Sequence, residues 1–403
     1  MYTGSESTAA ELALCTVPRA LRAALDRALQ GHPLGRVEAL ELIHEESPHT
    51  IEALIAVAGT VRTRHKGRVI TYSPKVFLPV TNLCLDRCAY CTFRADPDDP
   101  HAWTMLPEEI RATCACGRAC GCTEALLCLG DKPERAFAAY RATLDVLGVR
   151  STTEYLLRAC HWALEEGLFP HTNAGLLSRE EMALLRPVNA SLGLMLENVS
   201  PRLRGKGQVH WHAPDKEPRK RLAMMQEAGE LRIPFTTGIL LGIGETRTEV
   251  VDSLLAIVEL HRAYGHIQEV IIQNFRAKPT TKMATAPEPS TIDMARTVAV
   301  ARLLAPDMNF QAPPNLNPYD HRILLRAGIN DWGGISPLTP DFVNPEAPWP
   351  HVAALAQLCR EEGFTLRPRL PLYDEYLEKD EFVDPALRAR LRAARDRKGE
   401  GPC

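Results

Sequence analysis

The segment TNLCLDRCAYC places Cys84, Cys88 and Cys91 at positions i, i+4 and i+7. Three thiolates on one short loop can hold three irons of a cubane iron–sulfur cluster. The fourth iron then has no ligand within the motif. Ferredoxin spacing supplies four cysteines and closes the site for electron transfer, whereas an iron left open can take a substrate. Zinc is the rival use of clustered thiols. It normally closes tetrahedrally with a fourth ligand, and its usual signal is paired C-x2-C knuckles, which are absent here. The spacing therefore reads as cluster ligation by Cys84, Cys88 and Cys91.

The chain holds twelve cysteines in all. Cys114, Cys116, Cys120, Cys122 and Cys128 form a second group, and Cys15, Cys160, Cys359 and Cys403 are scattered. On a helix turning about 100° per residue, Cys116 and Cys120 share one face while Cys114 and Cys122 lie on another. Four ligands so placed cannot converge on one centre, and cysteine packs as a small hydrophobe, so this group reads as packing. The start, MYTGSESTAAELAL, lacks a basic region followed by an apolar core, so export is not expected. A reducing, cytoplasmic setting suits metal-ligating or core cysteines better than a disulfide framework.

The elements that must position the motif follow from 403 residues, 45% hydrophobic and 24% charged, with 47 Lys and Arg against 50 Asp and Glu. The net charge of −3 argues against a dedicated nucleic-acid or anionic-membrane binder. No apolar run reaches the roughly 18 residues of a membrane span. Residues 1–72 read as a helical extension. From about residue 73, eight strand candidates appear at 75–82, 123–131, 168–175, 189–197, 233–244, 266–275, 308–314 and 329–336, separated by helical stretches. That alternation predicts an α/β fold, a parallel TIM-type β/α barrel over 73–363, with its chemistry at the C-terminal strand ends. Residues 364–403 read as a C-terminal extension with one charged, solvated helix.

The spacing C-x3-C-x2-C directly after the first strand of such a barrel resembles the radical S-adenosylmethionine (SAM) superfamily. That resemblance implies a [4Fe-4S] cluster whose open iron chelates the amino and carboxylate groups of SAM. It also implies a deoxyadenosyl radical that abstracts hydrogen. It assigns Tyr90 to the adenine side. LGDKPE stands where the superfamily carries a glycine-rich turn toward the SAM amino group, giving Gly130, Asp131 and Lys132, although the usual Gly-Gly-Glu form is missing. Glu197 is assigned to the ribose hydroxyls, the alternative being a pair with Arg202 or Arg204. GILLGIGET resembles the adenine-contacting fifth-strand element, which assigns Gly242 and Ile243.

Longer stretches carry a closer resemblance. VFLPVTNLCLDRCAYCTFR, EALLCLGDKPE, LGLMLENVS, PFTTGILLGIGET, HIQEVIIQNFRAKP and AGINDWGGISPLTPDFVNPEAPWP look like the cyclising subunits of FO synthase, over about Val69 to Tyr376. FO is 7,8-didemethyl-8-hydroxy-5-deazariboflavin, the chromophore precursor of coenzyme F-420. The resemblance implies radical cyclisation of a hydroxybenzyl–ribitylaminouracil adduct with release of ammonia. It further implies that a separate tyrosine-coupling protein supplies the adduct and that a donor such as ferredoxin or flavodoxin supplies electrons. It also places small, alanine-like residues on the helix that here carries the second cysteine group. Strand-end positions then suggest substrate contacts: His171 and Asn173 on the third strand, Gln273, Asn274 and Arg276 on the sixth, Gln311 and Asn315 on the seventh, and Asn330 and Asp331 on the eighth. Arg276 is a candidate for receiving carbonyl or phenolate charge, and Asp331 for proton transfer during ammonia loss. His210 and His212 line either a lid or an ordinary surface loop. A different radical SAM enzyme, the tyrosine-coupling or a menaquinone-pathway type, and a non-catalytic iron–sulfur protein are the alternatives.

Overall fold

The structure, a computed structural model, describes residues 14–399. The first thirteen residues, on which the export expectation rests, and Cys403 lie outside the described residues.

Eight parallel strands close on one another: β1 (Val69–Thr81), β2 (Glu124–Leu129), β3 (Phe169–Asn173), β4 (Ser191–Gly193), β5 (Phe235–Leu241), β6 (Ile267–Asn274), β7 (Phe310–Gln311) and β8 (Asp331–Ile335). β8 returns to β1 with Thr71 opposite Asp331 and Ser73 opposite Gly334. This is the expected TIM-type barrel. Each strand feeds a covering helix, and the loops enter several of them through Ser/Thr-x-x-Asp/Glu capping boxes: Ser178 with Glu181, Thr246 with Glu249, Ser290 with Asp293.

Period-two alternation sorts β1 into two faces. Val76, Leu78 and Val80 are fully buried. Val76 packs so closely on the helix Pro107–Ala119 that a Cβ on Gly117 would stand 2.2 Å from its Cγ1. The other face carries Ser73, Lys75 and Phe77; Ser73 bonds Glu124 of β2, and Lys75 and Phe77 line a cavity inside the barrel. Of the second cysteine group, Cys114 and Cys116 lie on this helix, Cys120 caps its end and Cys122 follows in the turn to β2; Cys114 and Cys122 are buried, Cys116 and Cys120 exposed.

Two features depart from the sequence reading. β1 begins at Val69, inside the expected helical extension, because Val69–Tyr72 pair with a ninth strand, β9 (Thr365–Pro368). The chain that follows β9 is no solvated tail. Leu370, Leu372, Tyr376 and Leu377 are buried, and the terminal helix Pro385–Gly399 buries Leu387 and Leu391. Arg369 enters the N-terminal end of the barrel and bonds Asp331 at 2.7 Å and Glu269 at 2.9 Å. The three N-terminal helices, Arg19–Leu29, Arg36–His44 and Pro48–Lys66, pack on the outer helices. There, a Cβ on Gly59 would stand 2.5 Å from the Arg326 carbonyl oxygen.

Candidate active site

The cysteine loop leaves the C-terminal end of β1 and is held from two sides. On one side is the turn after β2. Gly130 donates its N–H to the Thr81 carbonyl at 3.0 Å, Leu85 donates to the Asp131 carbonyl at 2.9 Å, and the Asp131 N–H points at Cys84 Sγ at 3.1 Å. A Cβ on Gly130 would stand 2.0 Å from the Leu83 carbonyl oxygen and 2.6 Å from Cys84 Cβ. Only glycine allows that approach.

On the other side lies the segment after β4. Arg87 donates to the His212 carbonyl and Ala89 to the Val209 carbonyl, each at 2.9 Å. Tyr90 Oη meets His210 Nε2 at 2.9 Å. Burial, then the nearby Lys216, Arg221 and Arg204 charges, push His210 down to about 2, so its ring is neutral. His210 thus anchors the motif's aromatic residue. His212 Cα-level pairing with Arg87 ties the same segment to the loop.

Cys84, Cys88 and Cys91 stand around one cavity of about 320 Å³. Among the described residues no three His, Cys, Asp or Glu side chains converge where a single metal ion could sit. Three sulfurs spread around a cavity suit a multi-iron cluster, with one iron per sulfur, better than a mononuclear ion. Burial pushes the Cys84 thiol up, and Cys88 up to about 12. Without iron both are therefore protonated, and metal loading must release those protons.

The cavity brings together many of the residues singled out above. Tyr90, Gly130, Asp131, Glu197, Asn173, Asn274, Arg276, Gln273, Gln311 and Asn315 line it beside the cysteines. Asp131 accepts the Leu176 N–H at 3.2 Å, and burial, with Asp86 next, lifts it to about 7. Glu197 sits at φ +64 just past β4, which ends at Gly193 rather than 197. It pairs with neither Arg202 nor Arg204 but with Lys216 Nζ at 2.5 Å. Burial opposes the Lys216 charge, yet the Glu197 carboxylate holds it above the ordinary lysine range. Arg276 bonds Glu288 at 2.9 Å at the cavity's edge.

Other expected residues are placed elsewhere. Lys132 turns outward at φ +38 and bonds both Glu181 oxygens, at 2.6 and 2.7 Å. The Gly242 and Ile243 N–H groups donate to the Glu245 carboxylate at 2.7 and 2.8 Å. His171 lies deeper on β3, bonded to Ser191 at 2.6 Å, and burial pushes it down to about 4. Asp331 opens β8 instead of ending it. It is fully buried at the opposite end of the barrel, where Arg369 and Thr71 occupy its oxygens. Asn330 accepts from Arg302 at 2.8 Å and from the Phe310 N–H at 3.0 Å in the same layer. Neither lines the cavity that the cysteines line, so the geometry gives Asp331 the role of a floor ion-pair partner.

Sequence reasoning passed over Lys75, Asp86, Lys216, Arg221 and Lys278 and read Cys128 as packing; all six line the cavity wall. A signal existed for two of them. Lys75 interrupts an apolar strand two residues before Phe77, and Cys128 sits one residue before the end of β2.

Residues 78–257 match the family model of the radical SAM superfamily. The 7,8-didemethyl-8-hydroxy-5-deazariboflavin synthase of Methanopyrus kandleri is 48% identical over 312 residues, covering 77% of this chain and 93% of that one. The synthase of the same name from Methanothermobacter thermautotrophicus is 45% identical over 322 residues, covering 80% and 97%. FO synthase of Nocardia farcinica is 44% identical over 393 residues; the match spans 94% of this chain and 45% of the longer relative. Among solved structures, HydG, a maturase of the [FeFe]-hydrogenase, superposes with a TM-score of 0.73 at 17% identity, covering 94% of this chain and 82% of that one. Methylornithine synthase gives 0.68 at 18%, covering 85% and 97%. These two likenesses establish the barrel. The end-to-end likeness to the synthases establishes the family: the chain belongs to the radical SAM superfamily and, within it, to the 7,8-didemethyl-8-hydroxy-5-deazariboflavin synthases.

Proposed function

We propose that this chain is the cyclising enzyme of FO formation, a carbon–nitrogen lyase acting on the adduct of a tyrosine-derived hydroxybenzyl group with ribitylaminouracil. The observation that carries the reading is one cavity. It has the three motif cysteines on its wall together with three amides, Asn173, Gln273 and Gln311, and one cation, Lys75. Amides and a cation match a substrate rich in carbonyls, ring N–H groups and ribityl hydroxyls.

Radical SAM enzymes use a [4Fe-4S] cluster and SAM, which together supply a 5′-deoxyadenosyl radical for hydrogen abstraction. Cys84, Cys88 and Cys91 would hold such a cluster by three of its irons. The Asp131 N–H tunes Cys84 through its hydrogen bond to sulfur. Tyr90, fixed by His210, would border the adenine, and Glu197, fixed by Lys216, would meet the ribose hydroxyls. The barrel walls keep water from the radical. The adduct would give a hydrogen atom to the deoxyadenosyl radical, close its second ring and release ammonia, then pass one further electron to the one-electron carrier and a proton to solvent, so that SAM, cleaved to methionine and 5′-deoxyadenosine, is the net two-electron oxidant. Asp331, bonded within the floor, is no longer the group of choice for moving the proton that leaves with ammonia.

A separate tyrosine-coupling protein supplies the adduct, and a ferredoxin- or flavodoxin-class donor supplies electrons in the cytoplasm. Among the described residues no helix is long and apolar enough to cross a membrane. The test is anaerobic turnover of the reconstituted protein with dithionite, SAM and the adduct. FO fluorescence with matching ammonia and 5′-deoxyadenosine supports the reading. 5′-Deoxyadenosine without FO moves the chain to another radical SAM reaction.

A further inference from the structure

Lys75 lies on the inner face of β1, only 8% exposed. Among the described residues its ammonium has neither a hydrogen-bond acceptor nor a carboxylate at salt-bridge distance. Its neighbours are aromatic: the Trp349 ring at 4.8 Å and the Phe77 ring at 5.6 Å. The acids of the barrel floor are engaged by other groups, Glu124 by Ser73 and Glu269 by Thr236 and Arg369. Gln311, on β7 and separated from β1 by β8, lines the same cavity; it is 6% exposed and its Oε1 is buried with no partner among the described residues. One cavity thus holds an unanswered donor and an unanswered acceptor.

Both side chains occupy room made by the paired glycines of β8. A Cβ on Gly334 would stand 2.3 Å from Lys75 Cδ, and one on Gly333 would stand 2.6 Å from Gln311 Oε1. Gln311 Oε1 buried without a partner is costly, and the Lys75 ammonium, which lines the cavity, has only aromatic rings to answer it. Apolar side chains of similar length would fill the same space without that cost. The arrangement is explained if a ligand completes it.

We propose that Lys75 and Gln311 read the imide edge of a pyrimidinedione: Lys75 donates to a ring carbonyl and Gln311 Oε1 accepts the adjacent ring N–H. The uracil part of the substrate then enters floor-first, its ring against Trp349 and Phe77. Asn173 of β3 and Gln273 of β6 line the same cavity and can meet its other polar edges. The hydroxyphenyl end carries a single hydroxyl, too few groups to engage all of those side chains. This inference rests on the function proposed above and deepens it by orienting the substrate.

The test is anaerobic calorimetry on the reconstituted, full-length protein with four probes: 5-amino-6-(D-ribitylamino)uracil, its N3-methyl derivative, ribitol and 4-methylphenol. The uracil probe is expected to bind, and Lys75→Met and Gln311→Leu each weaken it about 10- to 100-fold. N3-methylation weakens binding to the parent protein by a similar factor but adds nothing in Gln311→Leu. If Lys75→Met does not fold, Gln311→Leu with the methylated probe decides alone. Unchanged affinity in the variants, no binding of the uracil probe to the parent, or a Lys75-dependent preference for 4-methylphenol overturns the proposal. FO formation by the parent protein is scored separately. FO with unmoved affinities sinks only this inference. Lys75- and Gln311-dependent uracil binding without FO sinks the functional reading and leaves the recognition site standing.

Discussion

Gly130→Ala is expected to disable the enzyme without unfolding it. Atoms in contact normally sit about 3.5–4 Å apart. The added methyl would meet the Leu83 carbonyl oxygen at 2.0 Å and Cys84 Cβ at 2.6 Å. Neither is the end of a flexible side chain, so the backbone must separate by about 1 Å or more. Three bonds hold the two segments together there: Gly130 to Thr81, Leu85 to Asp131, and the Asp131 N–H to Cys84 Sγ. Moving Cys84 by that amount misplaces one of three cluster ligands. A displacement of about 1 Å costs on the order of 100-fold in rate. The assay is 5′-deoxyadenosine formation after anaerobic reconstitution, with iron and sulfide content measured on the same sample. Gly35→Ala is the control, because its Cβ meets only the movable Glu38 carboxylate at 3.4 Å. Gly130→Ala should melt within a few degrees of the parent, hold less iron and form 5′-deoxyadenosine about 100-fold more slowly. A variant with four irons and the parent rate would refute the claim that this turn sets the cysteine loop.

Three further predictions test the surroundings. Lys216→Met leaves the Glu197 carboxylate buried and unpaired; it should cost about 3–5 kcal/mol in chemical denaturation, and adding Glu197→Gln should return part of that loss. Arg369→Met strands Asp331 and Glu269 inside the barrel floor; a similar cost of about 3–5 kcal/mol is expected, with 5′-deoxyadenosine formation by the folded protein near the parent rate, because the group lies at the end away from the cysteines. His266, fully buried beside the Phe235 and Tyr264 rings, is pushed down to about 3 by burial. Its depressed pKa contributes stability that is present above the unfolded value and lost as pH falls below it. His266→Phe should therefore gain about 1 kcal/mol relative to the parent between pH 7 and 5.5; a pH-independent difference contradicts this.

The barrel was legible because alternation and turn signals are local. All eight expected strands overlap an observed one, and the capping boxes at Ser178, Thr246 and Ser290 mark helix starts. Where the reading missed, the cause was a distant partner. Nothing near Val69 announces β9, which lies almost three hundred residues away in sequence. Asp331 resembled a strand-end carboxylate, but its place at the start of β8 follows from its register opposite Thr71, and its role from Arg369. Glu197 was found by motif, whereas its partner Lys216 comes from a loop whose path the sequence does not show. Lys75 was hidden by the apolar run around it, although a lysine on the inner face of a barrel strand needs an explanation wherever it occurs.

The most direct test of the functional claim is a two-protein reaction. The reconstituted chain is combined anaerobically with dithionite, SAM, tyrosine, 5-amino-6-(D-ribitylamino)uracil and a tyrosine-coupling enzyme, and FO is followed by fluorescence and mass spectrometry. FO formed only when both proteins are present, and lost on Cys88→Ala, is the predicted result. Absence of FO from a protein shown to hold its cluster and to cleave SAM would contradict the account.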